Sequence, residues 1–142
     1  KKMLLKENLV NCEVISDEEI KYYVLKKSKF AITKSGTVSL EVCNANVPSI
    51  VIYKMNMINF FIVKMLVKIK YANIINIAAN EEIIPELLQN DCNAVNIFNK
   101  VDQFLSNSDL SSVQVSKFQK IINEFKTDKS SELASSVLIN SL

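Results

Sequence analysis

Residues 29–53 read KFAITKSGTVSLEVCNANVPSIVIY, and the order of patterns along them decides the fold. "KFAIT" (29–33) is a short apolar run of the kind a buried strand uses. A turn at Ser35-Gly36 leads into "TVSLEVCNAN", where Val38, Val42 and Ala45 share one helix face. Pro48 cannot extend that helix, and "SIVIY" (49–53) is a β-branched strand. Strand, helix, strand is the unit from which a parallel sheet with right-handed crossovers is built.

Outward from this unit, "NCEVIS" (11–16) predicts a first strand. Ser16 and Glu19 form a capping box ahead of "DEEIKYYVLKKS", where Ile20, Val24 and Leu25 fall at helical spacing. Acids open that helix and lysines close it, which suits its dipole. Past residue 53, "NMINFFIVKMLVKIK" (56–70) reads as an unusually apolar helix and "YANIINIAANEE" (71–82) as a short extended run and loop. Helices are expected over 83–89, 93–105, 111–125 and 130–142, with "SNSDLSS" (106–112) a loop carrying a cap. Tyr53 and Tyr71 read as half-buried anchors. The fold class is α/β, a parallel sheet with a helical C-terminal tail from about residue 93, in a single domain over 1–142. Three strands are few beside the five or six of a doubly wound sheet. The chain also opens on Lys1 without a methionine, so the expectation is a truncated piece of something longer.

Bulk properties exclude several chemistries. The 142 residues are 49% hydrophobic and 23% charged with a net charge of +2, too small to point to a nucleic-acid partner. There is no histidine, which removes a histidine-based triad or a zinc site with histidine ligands from this chain. Cys12, Cys43 and Cys92 have no metal-like spacing and read as small reduced core residues of a cytoplasmic protein. "KKMLLKENLVN" lacks the apolar core of a secretory signal, and no stretch reaches the roughly 18 apolar residues of a spanning helix.

Gly36 is the only glycine, where a chain of this kind carries roughly 7%. A strand running into Ser35-Gly36-Thr37 and then a helix has the geometry of an anion site. The helix start offers unpaired N–H groups and partial positive charge, glycine permits close backbone approach, and the hydroxyls add donors. Glu41 follows one turn after Thr37, where a carboxylate can accept both hydroxyls of a ribose. The same residues also make an ordinary tight turn with a threonine N-cap, and the pattern alone leaves both readings open.

Two longer segments narrow the choice. "SGTVSLEVCNANVPSIVIYKMN" and "LVKIKYANIINIAANEEIIPELLQNDC" together resemble lipid-A-disaccharide synthase, a glycosyltransferase family of the GT-B type. The likeness is close from about Thr33 to Cys92 and covers roughly the last third of the family's usual length. It rests on an ordered series: Ser-Gly-Thr, Leu-Glu, Val-Pro, Leu-Val-Lys and Pro-Glu-Leu-Leu-Gln.

The resemblance implies a Rossmann-like GT-B C-terminal domain that binds a UDP-sugar. Such enzymes transfer 2,3-diacylglucosamine from its UDP donor to 2,3-diacylglucosamine 1-phosphate in lipid A biosynthesis, releasing UDP. By similarity Ser35, Gly36 and Thr37 hold the diphosphate, Glu41 the ribose, and Asn76, Glu86 and Gln89 line the donor side. It implies no metal and no further cofactor. The catalytic base and acceptor site belong to an N-terminal domain, so no catalytic residue is expected here and the chain alone is expected to be inactive. The implied location is the cytoplasm, peripheral on the inner membrane of a Gram-negative bacterium. Alternatives from other classes are a non-catalytic remnant or interaction module, and another UDP-sugar transferase or epimerase.

The family usually reads Leu-Pro-Asn and then Gly-Arg before its Glu-Leu-Leu-Gln. Here Ile74-Ile75-Asn76 and Asn80-Glu81 stand instead, and the direction of Glu81 decides whether it opposes a donor phosphate. In 56–70, Phe60 and Phe61 with Lys64 and Lys68 fit a bilayer or acyl-chain contact, apolar groups among tails and lysines at anionic headgroups. A buried helix with a lysine edge, or a homo-oligomer interface, fits the same residues.

Overall fold

The computed structural model describes residues 11–55 and 70–125. In chain order these form α1 (Glu18–Lys27), β1 (Ala31–Thr33), α2 (Thr37–Asn44), β2 (Ser49–Tyr53), α3 (Ile74–Ala79), β3 (Glu86–Leu88), α4 (Ala94–Ser106) and α5 (Ser108–Phe125), with a 3-10 turn at Gln89–Asp91. The expected helices over 56–70 and 130–142 lie outside the described residues, as do Phe60, Phe61, Lys64 and Lys68.

The sheet runs β1-β2-β3 and both pairings are parallel, with Ile32 opposite Ile50 and Ile52 opposite Leu87. β2 is the middle strand, and its Ser49, Ile50 and Val51 are fully buried, as expected where both faces are covered. Because all three strands point the same way, their carboxyl ends lie along one edge. The turns after Thr33, Tyr53 and Leu88 therefore gather there, where open α/β sheets bind ligands.

One core forms where α2, α3 and α5 meet the sheet: Cys43, Val51, Ile75, Ile83, Ile84, Phe118 and Ile122. A smaller cluster of Val42, Ala45 and Val47 takes up Leu25 from α1 and Ala31 from β1. α5 is keyed to the sheet by a buried amide. Gln114 Oε1 accepts from Ser49 N at 2.7 Å, and its Nε2 donates to Ser49 O at 3.0 Å and Ile83 O at 3.1 Å. Gln119 Nε2 adds a bond to Cys43 O near the end of α2, at 3.0 Å.

The α/β class, the parallel sheet and the two helices between residues 93 and 125 are as the sequence predicts, but individual elements differ. Residues 11–17 form no strand. α1 is capped by Asp17 rather than Ser16: Asp17 Oδ1 accepts from Glu19 N and Ile20 N at 2.9 and 3.0 Å. Ile20 and Val24 are exposed, and only Leu25 of the expected stripe reaches the core. Val38 of α2 is likewise exposed, while Val42 and Ala45 are buried.

The segment 83–89 is not a helix; it supplies the third strand. Pro85 has no N–H to give, but its carbonyl accepts from Val51 N at 2.9 Å, a position an edge strand tolerates. Conversely, 71–82 contains α3, started by Asn73, whose Oδ1 accepts from Ile75 N at 2.9 Å. The break between α4 and α5 is shorter than expected. Asn107 alone separates them, its Oδ1 capping Asp109 N and Leu110 N.

Replacing Gln114 by alanine strands the N–H and C=O of Ser49 and the C=O of Ile83. The expected cost in urea unfolding is about 3 kcal/mol, against about 1 kcal/mol for Gln119→Ala. Burial also pushes the Cys43 thiol up from 9.0 to about 12. A raised folded-state value favours the neutral thiol, so its contribution is complete below pH 9 and is lost as the pH climbs toward 12. Stability is expected to drop by about 1 kcal/mol between pH 8 and 10, and the part due to this thiol vanishes in Cys43→Ala, measured as the difference between the two urea profiles.

Candidate functional site

The carboxyl end of β1 leads through Lys34, Ser35 and Gly36 directly into α2. Gly36 has φ +134° and ψ −162°, a region essentially restricted to glycine. A Cβ built there meets nothing within 4 Å. Glycine is thus required by the backbone angle and not by crowding, and the space before it is open.

Side chains of Asp17, Asn73, Asn93 and Asn107 cap the starts of α1, α3, α4 and α5. At the start of α2, Gly36 provides no side-chain cap. Ser39 turns inward, its N and Oγ both donating to Gly36 O at 3.1 and 2.6 Å. Thr37 is exposed at the first helical position. Thr37 is therefore not the N-cap that an ordinary turn would make of it. Exposed N–H groups at this end carry the positive pole of the helix.

The turn is braced from the next crossover. Ser35 Oγ donates to Ala72 O at 2.6 Å. Ala72 N and Asn73 N donate to the two carboxylate oxygens of Glu86 at 2.7 and 2.9 Å. Asn76 Nδ2 also reaches Glu86, at 2.8 Å, and Ile84 O, at 2.7 Å. Its Oδ1 accepts from Ile83 N and Ile84 N, both at 2.9 Å. Asn76 is fully buried with its amide committed on both sides. These bonds join Ser35, Asn76 and Glu86 into one network.

Gln89 follows β3 at φ +52°, an uncommon angle for a residue that is neither glycine nor asparagine. Its Oε1 accepts from Met55 N just past β2 at 3.2 Å, while the buried Nε2 has no partner among the described residues. Lys34 lies with its ammonium 5.9 Å from the Tyr53 ring, adding positive charge at the end of β1. Tyr53 and Tyr71 are both half-buried.

Glu41 stands apart from that network. Its carboxylate meets Lys21 of α1, Nζ to Oε2 at 3.3 Å, and Lys21 also contacts Glu18 at 2.5 Å. Glu18 first, then Glu41, holds the Lys21 ammonium above its usual range. Glu81 is turned toward Lys117 on α5, with which it forms an exposed ion pair. Asn80 sits at φ +51° as the left-handed cap of α3. Asparagine is the residue after glycine that tolerates this angle best, which makes it a conservative occupant of the Gly position in the Gly-Arg pattern.

Sequence reasoning did not single out Lys21, Lys34 or Asn73. Asn73 had a local signal, an Asx residue directly before "IINIAA"; the contact of Lys21 spans two helices and had none. Among the described residues no group of three or more His, Cys, Asp or Glu could hold a metal ion, and no helix is long and apolar enough to cross a membrane.

The family described as lipid-A-disaccharide synthetase matches residues 2–139. Named lipid-A-disaccharide synthases resemble the chain over most of its length. That of Rickettsia canadensis is 42% identical over 129 residues, covering 91% of this chain and 33% of the relative. That of Rickettsia conorii is 43% identical over 118 residues, covering 82% of this chain and 26% of the relative. That of Rickettsia typhi is 44% identical over 118 residues, with 82% and 30% covered. The chain thus spans about a quarter to a third of the length of these relatives.

The glycine requirement at position 36 can be separated from any ligand. Gly36→Ala is expected to lose about 1–3 kcal/mol in urea unfolding, although the added methyl group meets open space. A cost near zero would show that the turn relaxes to an ordinary conformation.

Proposed function

The chain belongs to the lipid-A-disaccharide synthase family, and from that premise we propose that it is the part of such an enzyme that binds the UDP-sugar donor. The reaction of the whole enzyme, in this reading, moves 2,3-diacylglucosamine from UDP onto 2,3-diacylglucosamine 1-phosphate. The donor's anomeric carbon exchanges its bond to the diphosphate for one to the acceptor hydroxyl, and UDP leaves. The observation that carries the reading is the start of α2: a glycine-only backbone angle, open space before it, and no side-chain cap where the other described helices have one.

The diphosphate lies over Ser35, Gly36 and Thr37. Backbone N–H groups and the helix pole meet the negative charge that grows on the diphosphate as the glycosyl bond breaks. This calls for no metal. Lys34 adds a cation beside the same turn. Glu41 accepts the ribose hydroxyls. Asn76 and Glu86 serve the donor side indirectly, by fixing the carbonyl of Ala72 that receives Ser35. Gln89 occupies the carboxyl end of β3 with a strained backbone and an amide donor that has no partner among the described residues, two features common where a ligand completes a site.

The acceptor lipid and the catalytic base are assigned to a separate N-terminal domain, and the chain by itself to a binding role without transferase activity. A lipid acceptor and an acyl-bearing donor make contact with the cytoplasmic face of the inner membrane part of the same proposal.

Thr37→Glu distinguishes ligand binding from folding. A carboxylate in the first turn of α2 favours the helix dipole, so the unfolding midpoint should be unchanged or slightly raised. The same charge opposes a diphosphate, and UDP affinity measured by calorimetry is expected to fall at least about tenfold. If the parent chain takes up no UDP, or if the variant binds it equally well, the diphosphate assignment is wrong.

A further inference from the structure

We propose that Lys21, on α1, is a positioning residue for the donor nucleotide: it fixes the Glu41 carboxylate where that carboxylate receives the ribose hydroxyls. The inference rests on the donor-site reading above and extends it to a helix that the reading does not use.

α1 has no buried residue. Ile20, Tyr22, Tyr23 and Val24 are all exposed, so the helix adds little to the core. It meets α2 through two side chains one turn apart. Leu25 packs on the Val42, Ala45 and Val47 cluster, and Lys21 places its ammonium 3.3 Å from Glu41 Oε2. Lys21 is steadied from its own helix by Glu18, 2.5 Å away. Asp17 fixes the start of that helix by capping two N–H groups. The geometry is therefore a relay of fixed points, from cap and apolar anchor to ammonium, and from ammonium to carboxylate.

Such a relay has a use at Glu41. Its side chain is 48% exposed, and an exposed glutamate on a helix samples several rotamers that a bound sugar must otherwise select. Lys21 makes that selection in advance. It contacts one oxygen, Oε2, and an ionised carboxylate has about four lone-pair sites, so two sugar hydroxyls can still be accepted. A cleft of about 520 Å³ lies beside the pair, lined by Glu18, Lys21, Tyr22, Leu25, Glu41 and Asn44, and keeps the carboxylate accessible. As an exposed ion pair the contact contributes little to folding. Its removal should therefore register in ligand selectivity and leave stability unchanged.

The test compares UDP, 2′-deoxy-UDP and inorganic pyrophosphate as ligands of the 142-residue chain and of Lys21→Met and Lys21→Arg. The parent chain is expected to prefer UDP over its 2′-deoxy form by about tenfold, one hydrogen bond to a charged acceptor. In Lys21→Met the preference collapses toward one, with the unfolding midpoint and pyrophosphate affinity unmoved; Lys21→Arg retains it. A Lys21→Met chain with the full preference overturns the positioning role and leaves the donor site standing. UDP binding without any preference in the parent removes the ribose role of Glu41, and that of Lys21 with it. Absence of UDP binding altogether is a third, separate result, the failure of the donor-site reading itself.

Discussion

The Glu86 carboxylate is the point on which the sheet edge and the candidate site both depend. It stands at the first position of β3 and takes three hydrogen bonds, from Ala72 N, Asn73 N and Asn76 Nδ2. Those bonds fix the entry to α3 at the end of the β2–β3 crossover. They also orient Ala72, whose carbonyl receives Ser35 beside Gly36. A buried or half-buried carboxylate without such donors is costly, whereas one with two or three backbone or amide donors is well compensated. The glycine turn is thus held by a residue far along the chain, through a loop that neither β1 nor α2 contacts in sequence.

A chain with one glycine must find other residues for left-handed backbone, and among the described residues two asparagines serve at helix ends, with Gln89 the third such position. Asn46 at φ +61° and Asn80 at φ +51° end α2 and α3. In each case the backbone closes back on the helix, Val47 N to Val42 O at 3.2 Å and Glu81 N to Asn76 O at 3.2 Å. Asparagine can meet φ near +60°, since its short polar side chain bonds locally. It cannot meet φ +134° with ψ −162°, which is where Gly36 remains. The retained glycine therefore marks the position whose backbone demand has no substitute among L side chains.

What could be read in the sequence follows from how local each determinant is. The β1–α2–β2 unit was legible because apolar runs, a glycine turn and Pro48 lie within 25 residues of one another. β3 was not, because "IIPELLQ" has helical spacing and becomes a strand only by pairing with β2, more than 30 residues earlier. α3 was hidden by its β-branched isoleucines, which favour strands in isolation, and was decided by the Asn73 cap and the burial of Ile75. At the candidate site, Ser35-Gly36-Thr37 and Glu41 could be located by number. The supporting duties of Asn76 and Glu86 could not, since their partners at 72, 73 and 84 are set by the tertiary fold. Lys21 was invisible for the same reason.

Charge compensation gives the donor-site reading its physical consistency. A diphosphate site that includes glutamates is self-defeating unless each negative charge is answered first. Glu86 is answered by three N–H donors, and Glu41 shares the Lys21 ammonium with Glu18. Glu81, which occupies the arginine position of the family pattern, is answered by Lys117 and turned to α5. At roughly 4 Å an unscreened like-charge contact near a protein surface is worth about 4 kcal/mol, enough to cancel what a helix N-terminus offers an anion. Among the described residues, the ammonium of Lys34 has no ion-pair partner and stands with the positive pole of α2 at the end of β1. In the donor-site reading, the exchange of arginine for Glu81 removes a cation, while Glu81 itself is paired with Lys117 of α5.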